Sequence, residues 1–493
     1  MRGRTTVTTV TTGTTQSHET GTARAAGADK VYPSPQAAVA DIADGSSVAI
    51  AGFGVTHRFP SSLITALRDQ GARRLTVYCN GLGQPGHPTA QSLAENGQLS
   101  RLVASFSARP GPVTAAEAGI EAGDIELELV PQGTLVERMR AGGAGIAAFY
   151  TPAGAGTAIG DGKEVRDFDG VPHLLEHGIR TDYALLRAHR ADRMGNVAFR
   201  GASRNFNDSF AKAAHCAIVE VDEIVEVGEL APDEIDLPGV FVARVVQTTV
   251  TIDVNDLPRR AARPAGSGRL YHDKPGMTRA GIGRRLAALI APGSLVNLGA
   301  GLPNLAADHL AGRGVTLHGE NGVLGHGGFV TDGPRDPDMH DAGGNFVTLL
   351  PGASFFDSVT SFEIARSGRL DAVVLGAYQV GGSGDLANWA VPGRIGGGIG
   401  GAMDLAVGAK RVIVTLEHSD SGGRPKLVQH CSYPVTAVGC VDAIVTDLAL
   451  LTRDGDGFRL DEVAAGFTVD EVLALTDMSV TVAEHVGVMQ EAW

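Results

Sequence analysis

Cysteine is scarce in this chain. The four present (Cys79, Cys216, Cys431 and Cys440) are scattered, with no two at the spacing of a metal site, so they read as buried free thiols. Free thiols fit a reducing compartment, and the cytoplasm is the expected location. Long hydrophobic runs are missing too. None reaches the roughly 18 residues of a membrane-spanning helix, so no membrane partner is expected. Positive charge is in deficit, with 41 Lys and Arg against 55 Asp and Glu and a net charge of −14, which argues against a nucleic-acid partner. It leaves room for a local basic pocket. What is abundant is glycine: 67 residues without a collagen-like period, hence many tight turns and close backbone approaches.

At 493 residues the chain is too long for one hydrophobic core. Residues 1–30 are rich in Thr, Ala and Gly and read as a disordered tail. Arg2, Arg4 and Arg24 hint at an organelle-targeting segment, but the amphipathic Arg/Leu pattern of one is missing. From about residue 34 apolar strands alternate with helices: strand 47–51, the turn Gly52-Phe53-Gly54, helix 61–70, then strands 75–79, 102–106 and 125–130. This rhythm predicts an α/β fold with parallel sheets. Residues 253–276, with three prolines and five basic residues, read as a linker between domains 31–252 and 277–493. The halves resemble distant copies. Residues 45–67 parallel 293–310, and 215–227 parallel 370–380. Related domains joined this way often place a site between them.

Gly319–Gly328 reads GENGVLGHGG and holds the most informative residue, Glu320. A carboxylate among small neighbours, just past an apolar stretch, suits a nucleophile presented at the end of a buried strand. The competing reading is an ordinary Asn-Gly turn. Further motifs decide between them: PQGTLVERMRAGGAGIAAFYTPAGAGT (131–157), ADRMGNVAFRGASRNFN (191–207), NLGAGLP (297–303), LLPGASFFDS (349–358), GDLANW (384–389), GGAMDL (400–405) and VTLEHS (414–419). With ENGVLG (320–325) they run in the order of the family I CoA-transferases of the succinyl-CoA:3-oxoacid type, which this chain resembles, with the two subunits fused.

The resemblance implies two related open α/β domains and places Glu320 at the nucleophile's position. A carboxylate there attacks an acyl-CoA thioester, forms an acyl anhydride and then a glutamyl-CoA thioester, and passes CoA to a second acid in ping-pong fashion. Coenzyme A thioester is then a substrate, no cofactor is permanently bound, and neither ATP nor metal is required. Gly400 and Gly401 could offer backbone N–H groups to the oxyanion. Gln132 resembles the family's amide that contacts it or the acyl group, against the reading of an exposed turn residue after Pro131. Gly299 and Gly301 form either a CoA-admitting turn or a plain strand-to-helix turn. Neither glycine turn has the full nucleotide-binding spacing. Asn388 and Trp389 read as structural or as part of the pocket wall. A dimer or higher oligomer is expected.

Departures from the family pattern gather where substrate sits. They are Val55–Pro60, Asn80 followed by Gly81, Ser107–Gly111, Gly319, and Gly325–Gly328. They bring His57, Arg58, Arg109 and His326 to the expected pocket, beside Asn80. Arg58 or Arg109 could pair with a substrate carboxylate, or merely line the surface. His326 could activate water, which would turn transfer into hydrolysis, or do nothing. The expected activity is CoA transfer from a short acyl-CoA, succinyl-CoA or acetyl-CoA, to a 3-oxo acid. The alternatives are 3-oxoadipate as acceptor, or an acyl-CoA thioester hydrolase or other repurposed acyl-transfer enzyme.

Overall fold

The computed structural model describes residues 29–54, 58–108, 111–257 and 268–489. The expected tail lies outside them except for Asp29 and Lys30. Lys30 is buried and donates from Nζ to the Gly239 carbonyl (2.6 Å).

The first half is built on strands β1 (Ser47–Ile50), β2 (Leu75–Gly81), β3 (Leu99–Phe106), β4 (Glu126–Leu129), β5 (Thr181–Asp192), β6 (Ala214–Val225) and β7 (Arg244–Gln247). They pair in the order β7-β6-β5-β1-β2-β3-β4, all parallel. The central strands are buried apolar runs, as a sheet covered on both faces requires. Helix α1 (Ser61–Gln70) covers one face with Leu63, Ile64 and Leu67, and ends where Gly71 takes the left-handed conformation (φ 87). Helix α2 (Gln132–Gly143) follows Pro131.

The second half contributes β8 (Leu295–Leu298), β9 (Thr316–Gly319), β10 (Val323–Phe329), β11 (Val347–Phe355), β12 (Ala372–Gly376), β13 (Val412–Thr415), β14 (Ala443–Val445), β15 (Ala449–Asp454), β16 (Gly457–Ala464) and β17 (Val480–Met489). Their order is β11-β10-β9-β8-β12-β13-β14-β15-β16-β17. Helices α3 (Ser358–Arg366) and α4 (Ala402–Gly408) pack together and against α2 of the first half.

Five parallel strands repeat between the halves: β7-β6-β5-β1-β2 matches β14-β13-β12-β8-β9. The expected equivalence of 45–67 with 293–310 holds for the central strands. The helix that follows in the first half is replaced by a 3-10 turn at Pro303–His309. The equivalence of 215–227 with 370–380 is corrected. Strand order gives β12 the place of β5, and β6 matches β13. Buried parallel strands are all Val/Ile/Ala runs, so likeness between two of them does not fix which is which.

The expected linker is anchored at both described ends, and residues 258–267 lie outside the description. Arg335 Nη1 donates to the carbonyls of Val254 and Leu257, 2.8 Å each. Leu270–Tyr271 and Lys274–Pro275 form a small hairpin whose Tyr271 hydroxyl donates to Asp447 (2.9 Å). The halves also meet through backbone. Ile399 N donates to Ser105 O, and Ser107 N to Gly397 O, 2.9 Å each. One hydrophobic cluster runs through both halves, with Phe206 and Phe210 from the first and Phe362 and Leu405 from the second.

Candidate active site

Glu320 leaves the carboxyl end of parallel strand β9 and begins the tight turn into β10, where open α/β sheets present reactive groups. Its main chain is fixed from two sides. Ser361 Oγ on α3 donates to the Glu320 carbonyl (2.8 Å) and lies 3.1 Å from His318 Nε2. His318 Nδ1 in turn faces Asn297 Nδ2 at 3.2 Å. These partners assign the proton to Nε2, giving the relay Asn297–His318–Ser361–Glu320. Burial lowers His318 to about 4, so the relay is uncharged. On the other side Asn321 Nδ2 donates to the His340 carbonyl (2.7 Å).

The Glu320 side chain lies against the Gly400–Gly401 turn that opens α4. A Cβ on Gly401 would fall well inside contact distance of Glu320 Oε2, so any larger residue would displace the carboxylate from this seat. Burial raises the carboxyl to about 7, and the charges of Asp404 and Asp341 add to the shift. Asp404 is wholly buried on α4. It accepts from Gly133 N of the first half (3.0 Å) and from Arg366 Nη1 (3.2 Å). Its own carboxyl is raised by burial, with Arg366 opposing. The Asp341 carboxylate is held by Asn345 N (2.8 Å) and Asn304 Nδ2 (3.3 Å).

The first half closes the site. Gln132 is buried at the start of α2. Its backbone N donates to Gly400 O and its Nε2 to Asn80 Oδ1, 2.9 Å each, and its Oε1 has no partner among the described residues. The fold therefore brings Gln132, Asn80, Gly400, Gly401 and Glu320 together. Gly400 N faces Ser105 O at 3.4 Å, while the Gly401 N–H has no hydrogen-bond partner among the described residues. Of the two, Gly401 has the N–H left open. Phe106, 38% exposed, spreads over the same loop, 2.7 Å from where a Gly400 Cβ would be.

Other expected residues sit differently. Arg58 is not a free substrate-binding cation. It donates to Asp338 through Nε and Nη2 (2.5 Å each), and its Nη1 lies 3.2 Å from Asp222. Arg109 and His57 lie outside the described residues. His326 is buried on β10, with Nδ1 3.2 Å from Gly327 O, and among the described residues no hydrogen bond joins it to Glu320. Burial lowers its proton affinity, against the Gly327 carbonyl and Asp341. Gly299 and Gly301 lie at the end of β8, beside β9. Gly301 (φ 87) has open space at its Cβ position. Asn388 and Trp389 are structural: Asn388 Nδ2 donates to Gly376 O (3.0 Å) and Trp389 Nε1 to Val435 O (3.2 Å). His318, Ser361, Asp341 and Asp404 were missed by sequence reasoning. Asp404 had a signal, since it lies in the quoted GGAMDL run.

The coenzyme A transferase family model matches residues 32–248 and 281–475. The chain belongs to the coenzyme A transferase family. It is 40% identical over 484 residues to succinyl-CoA:3-ketoacid coenzyme A transferase 2A, mitochondrial, of Rattus norvegicus, covering 94% of this chain and 91% of that one. It is 45% identical over 218 residues to one subunit of the 3-oxoadipate CoA-transferase of Pseudomonas putida, covering 44% of this chain and 93% of that polypeptide. An acyl-CoA transferase apoenzyme of Escherichia coli O157:H7 superimposes with TM-score 0.76 at 21% identity, covering 95% and 96% of the two chains; it speaks to fold alone. This CoA-transferase is thus an enzyme that transfers CoA and takes CoA thioesters as substrates. The expected cytoplasmic location is corrected. Relatives from rat, mouse and human that match over nearly the whole chain are mitochondrial by name. Free thiols indicate a reducing compartment and do not separate the cytoplasm from an organelle interior. No helix among the described residues is long and apolar enough to cross a membrane, and no cluster of three metal-ligating side chains occurs among them.

Proposed function

We propose that this CoA-transferase moves CoA from a short acyl-CoA, succinyl-CoA foremost, to a 3-oxo acid, with Glu320 as covalent nucleophile. The observation that carries the reading is the Glu320 carboxylate seated against Gly401, with its proton affinity raised to about 7. One carboxylate oxygen attacks the thioester carbon, and CoA leaves as thiolate. The thiolate then attacks the glutamyl carbonyl of the anhydride, releases the first acid and leaves a glutamyl-CoA thioester. The acceptor carboxylate reverses both steps. Thioester energy is conserved, so the cycle is proposed to run without ATP, metal or a resident cofactor.

Gly401 N–H and the second hydrogen on Gln132 Nε2 are the proposed oxyanion donors, and the Gly299–Gly301 turn a CoA contact. Residues 31–252 and 277–493 are the proposed functional halves, which the two matched segments of the family model support. A homodimer is the proposed assembly. The names of relatives favour succinyl-CoA as donor and a 3-oxo acid as acceptor. 3-Oxoadipate stays the second acceptor because of the relative bearing that name. Transfer is favoured over hydrolysis, because His326 has no hydrogen bond to Glu320 among the described residues.

The test is intact-protein mass spectrometry after mixing with succinyl-CoA and no acceptor, alongside Glu320→Ala. A CoA adduct on the native chain, absent from the variant, is expected. Steady thiol release without acceptor would establish hydrolysis, and neither adduct nor thiol would reject succinyl-CoA as donor.

A further inference from the structure

Arg58 stands apart from the proposed chemistry, yet its surroundings are built with care. Its backbone is left-handed (φ 48), a conformation that strains a residue bearing a side chain. The guanidinium spans the junction between halves and grips Asp338 with two parallel hydrogen bonds of 2.5 Å. The Asp338 carboxylate is wholly buried and takes another bond from Arg200 Nη1 (2.9 Å), and Arg200 Nη2 reaches Asp336 (2.5 Å). The Asp338 carbonyl accepts from Ala202 N (2.9 Å). The first half thus holds residues 336–338 of the second from several directions.

That segment leads straight to the nucleophile. Two residues beyond Asp338, the His340 carbonyl accepts the Asn321 side-chain amide at 2.7 Å, and Asn321 follows Glu320 in the chain. One residue further, Asp341 is anchored by Asn345 and Asn304. A buried ion pair is poor grounds for stability, because well-packed apolar side chains do as well. A strained backbone and a bidentate fork do fix geometry.

We propose that Arg58 and Asp338 are positioning residues for Glu320. By holding residues 336–341 across the junction, they set where Asn321, and with it the Glu320 main chain, lies against Gly401. This rests on Glu320 being the nucleophile. The titratable and charged groups around Glu320 are Asp404 with its partner Arg366, Asp341, and the buried His318 and His326. Of these, residues 336–341 carry only Asp341.

The test is the rate of CoA-adduct formation at saturating succinyl-CoA, read by rapid quench and intact mass, with the half-saturation concentration measured separately. If the native chain forms no adduct with succinyl-CoA, the proposed transfer from that donor fails and the proposal falls with it. Given a native adduct, Arg58→Met slows formation on the order of 10- to 100-fold. Half-saturation stays within about threefold, because substrate contacts are untouched. Asn321→Ala cuts the same route at its far end. The double variant then loses no more than the worse single variant, since both act on one path. Arg424→Met, which removes an exposed ion pair with Asp420, leaves the rate unchanged. Where Arg58→Met fails to fold by thermal unfolding, Arg58→Lys replaces it in the cycle, since lysine lacks the fork. A native rate in the Arg58 variant, or losses that multiply in the double variant, overturns the proposal.

Discussion

A carboxyl group whose proton affinity burial has lifted trades the fraction that is ionised for the nucleophilic strength of each ionised group. For Glu320, held at about 7, the rate of adduct formation rises with pH through that value. Between pH 6 and pH 8 the gain is about tenfold, and a flat profile there refutes it. The same group weakens the fold in base. Its proton is held more tightly in the folded chain than at the ordinary 4.5 of the unfolded one. The stability cost is absent below about 4.5, grows as pH rises toward 7, and is complete above it. Glu320→Gln therefore raises the melting temperature at pH 8 and hardly at pH 4.5, with an upper bound of about 3 kcal/mol. Differential scanning calorimetry at the two values checks it. Gly401→Ala drives a methyl group into the Glu320 carboxylate. Adduct formation falls on the order of 100-fold, in a chain whose far-ultraviolet circular dichroism is unchanged.

Helix α3 acts on the site through Ser361, whose hydroxyl links His318 to the Glu320 carbonyl. Ser361→Ala leaves a buried imidazole N–H and a carbonyl without partners. It destabilises by about 1–3 kcal/mol in urea titration and slows adduct formation, whereas Ser361→Thr keeps the hydroxyl and most of the rate. None of this was legible in the sequence. Ser361 lies 43 residues from His318 and 41 from Glu320, so nothing local joins them. Glu320 itself was legible only through the run of motifs that surrounds it, because a carboxylate among small residues reads locally as an Asn-Gly turn. Strand β1 and helix α1 were legible as an apolar run and a helix-like segment on either side of the Gly52-Phe53-Gly54 turn. The partner of 215–227 was not, because parallel core strands share one composition. Arg58 misled for a related reason. Its charge is plain in the sequence, but its acidic partner lies 280 residues away.

At the scale of the molecule, the hydrophobic cluster shared by the halves matters more than the covalent link between them. Two co-expressed chains, one ending at Leu257 and the other beginning at Gly268, are expected to co-purify and to form the CoA adduct. Halves that elute separately in gel filtration would contradict that. Backbone pairing of Ser105 and Ser107 with Gly397 and Ile399 makes the same point at the site. The glycine loop beside Glu320 takes its shape from a strand made some 290 residues earlier. A ribosome finishes β3 long before that loop emerges, and the nucleophile appears before the loop as well. With Glu320 as the proposed nucleophile and Gly401 as the proposed oxyanion donor, the half-made protein carries the carboxylate without that donor. Turnover of acyl-CoA is then expected only once synthesis has passed Gly401 and the halves have docked, so the chemistry is timed by the chain's own completion.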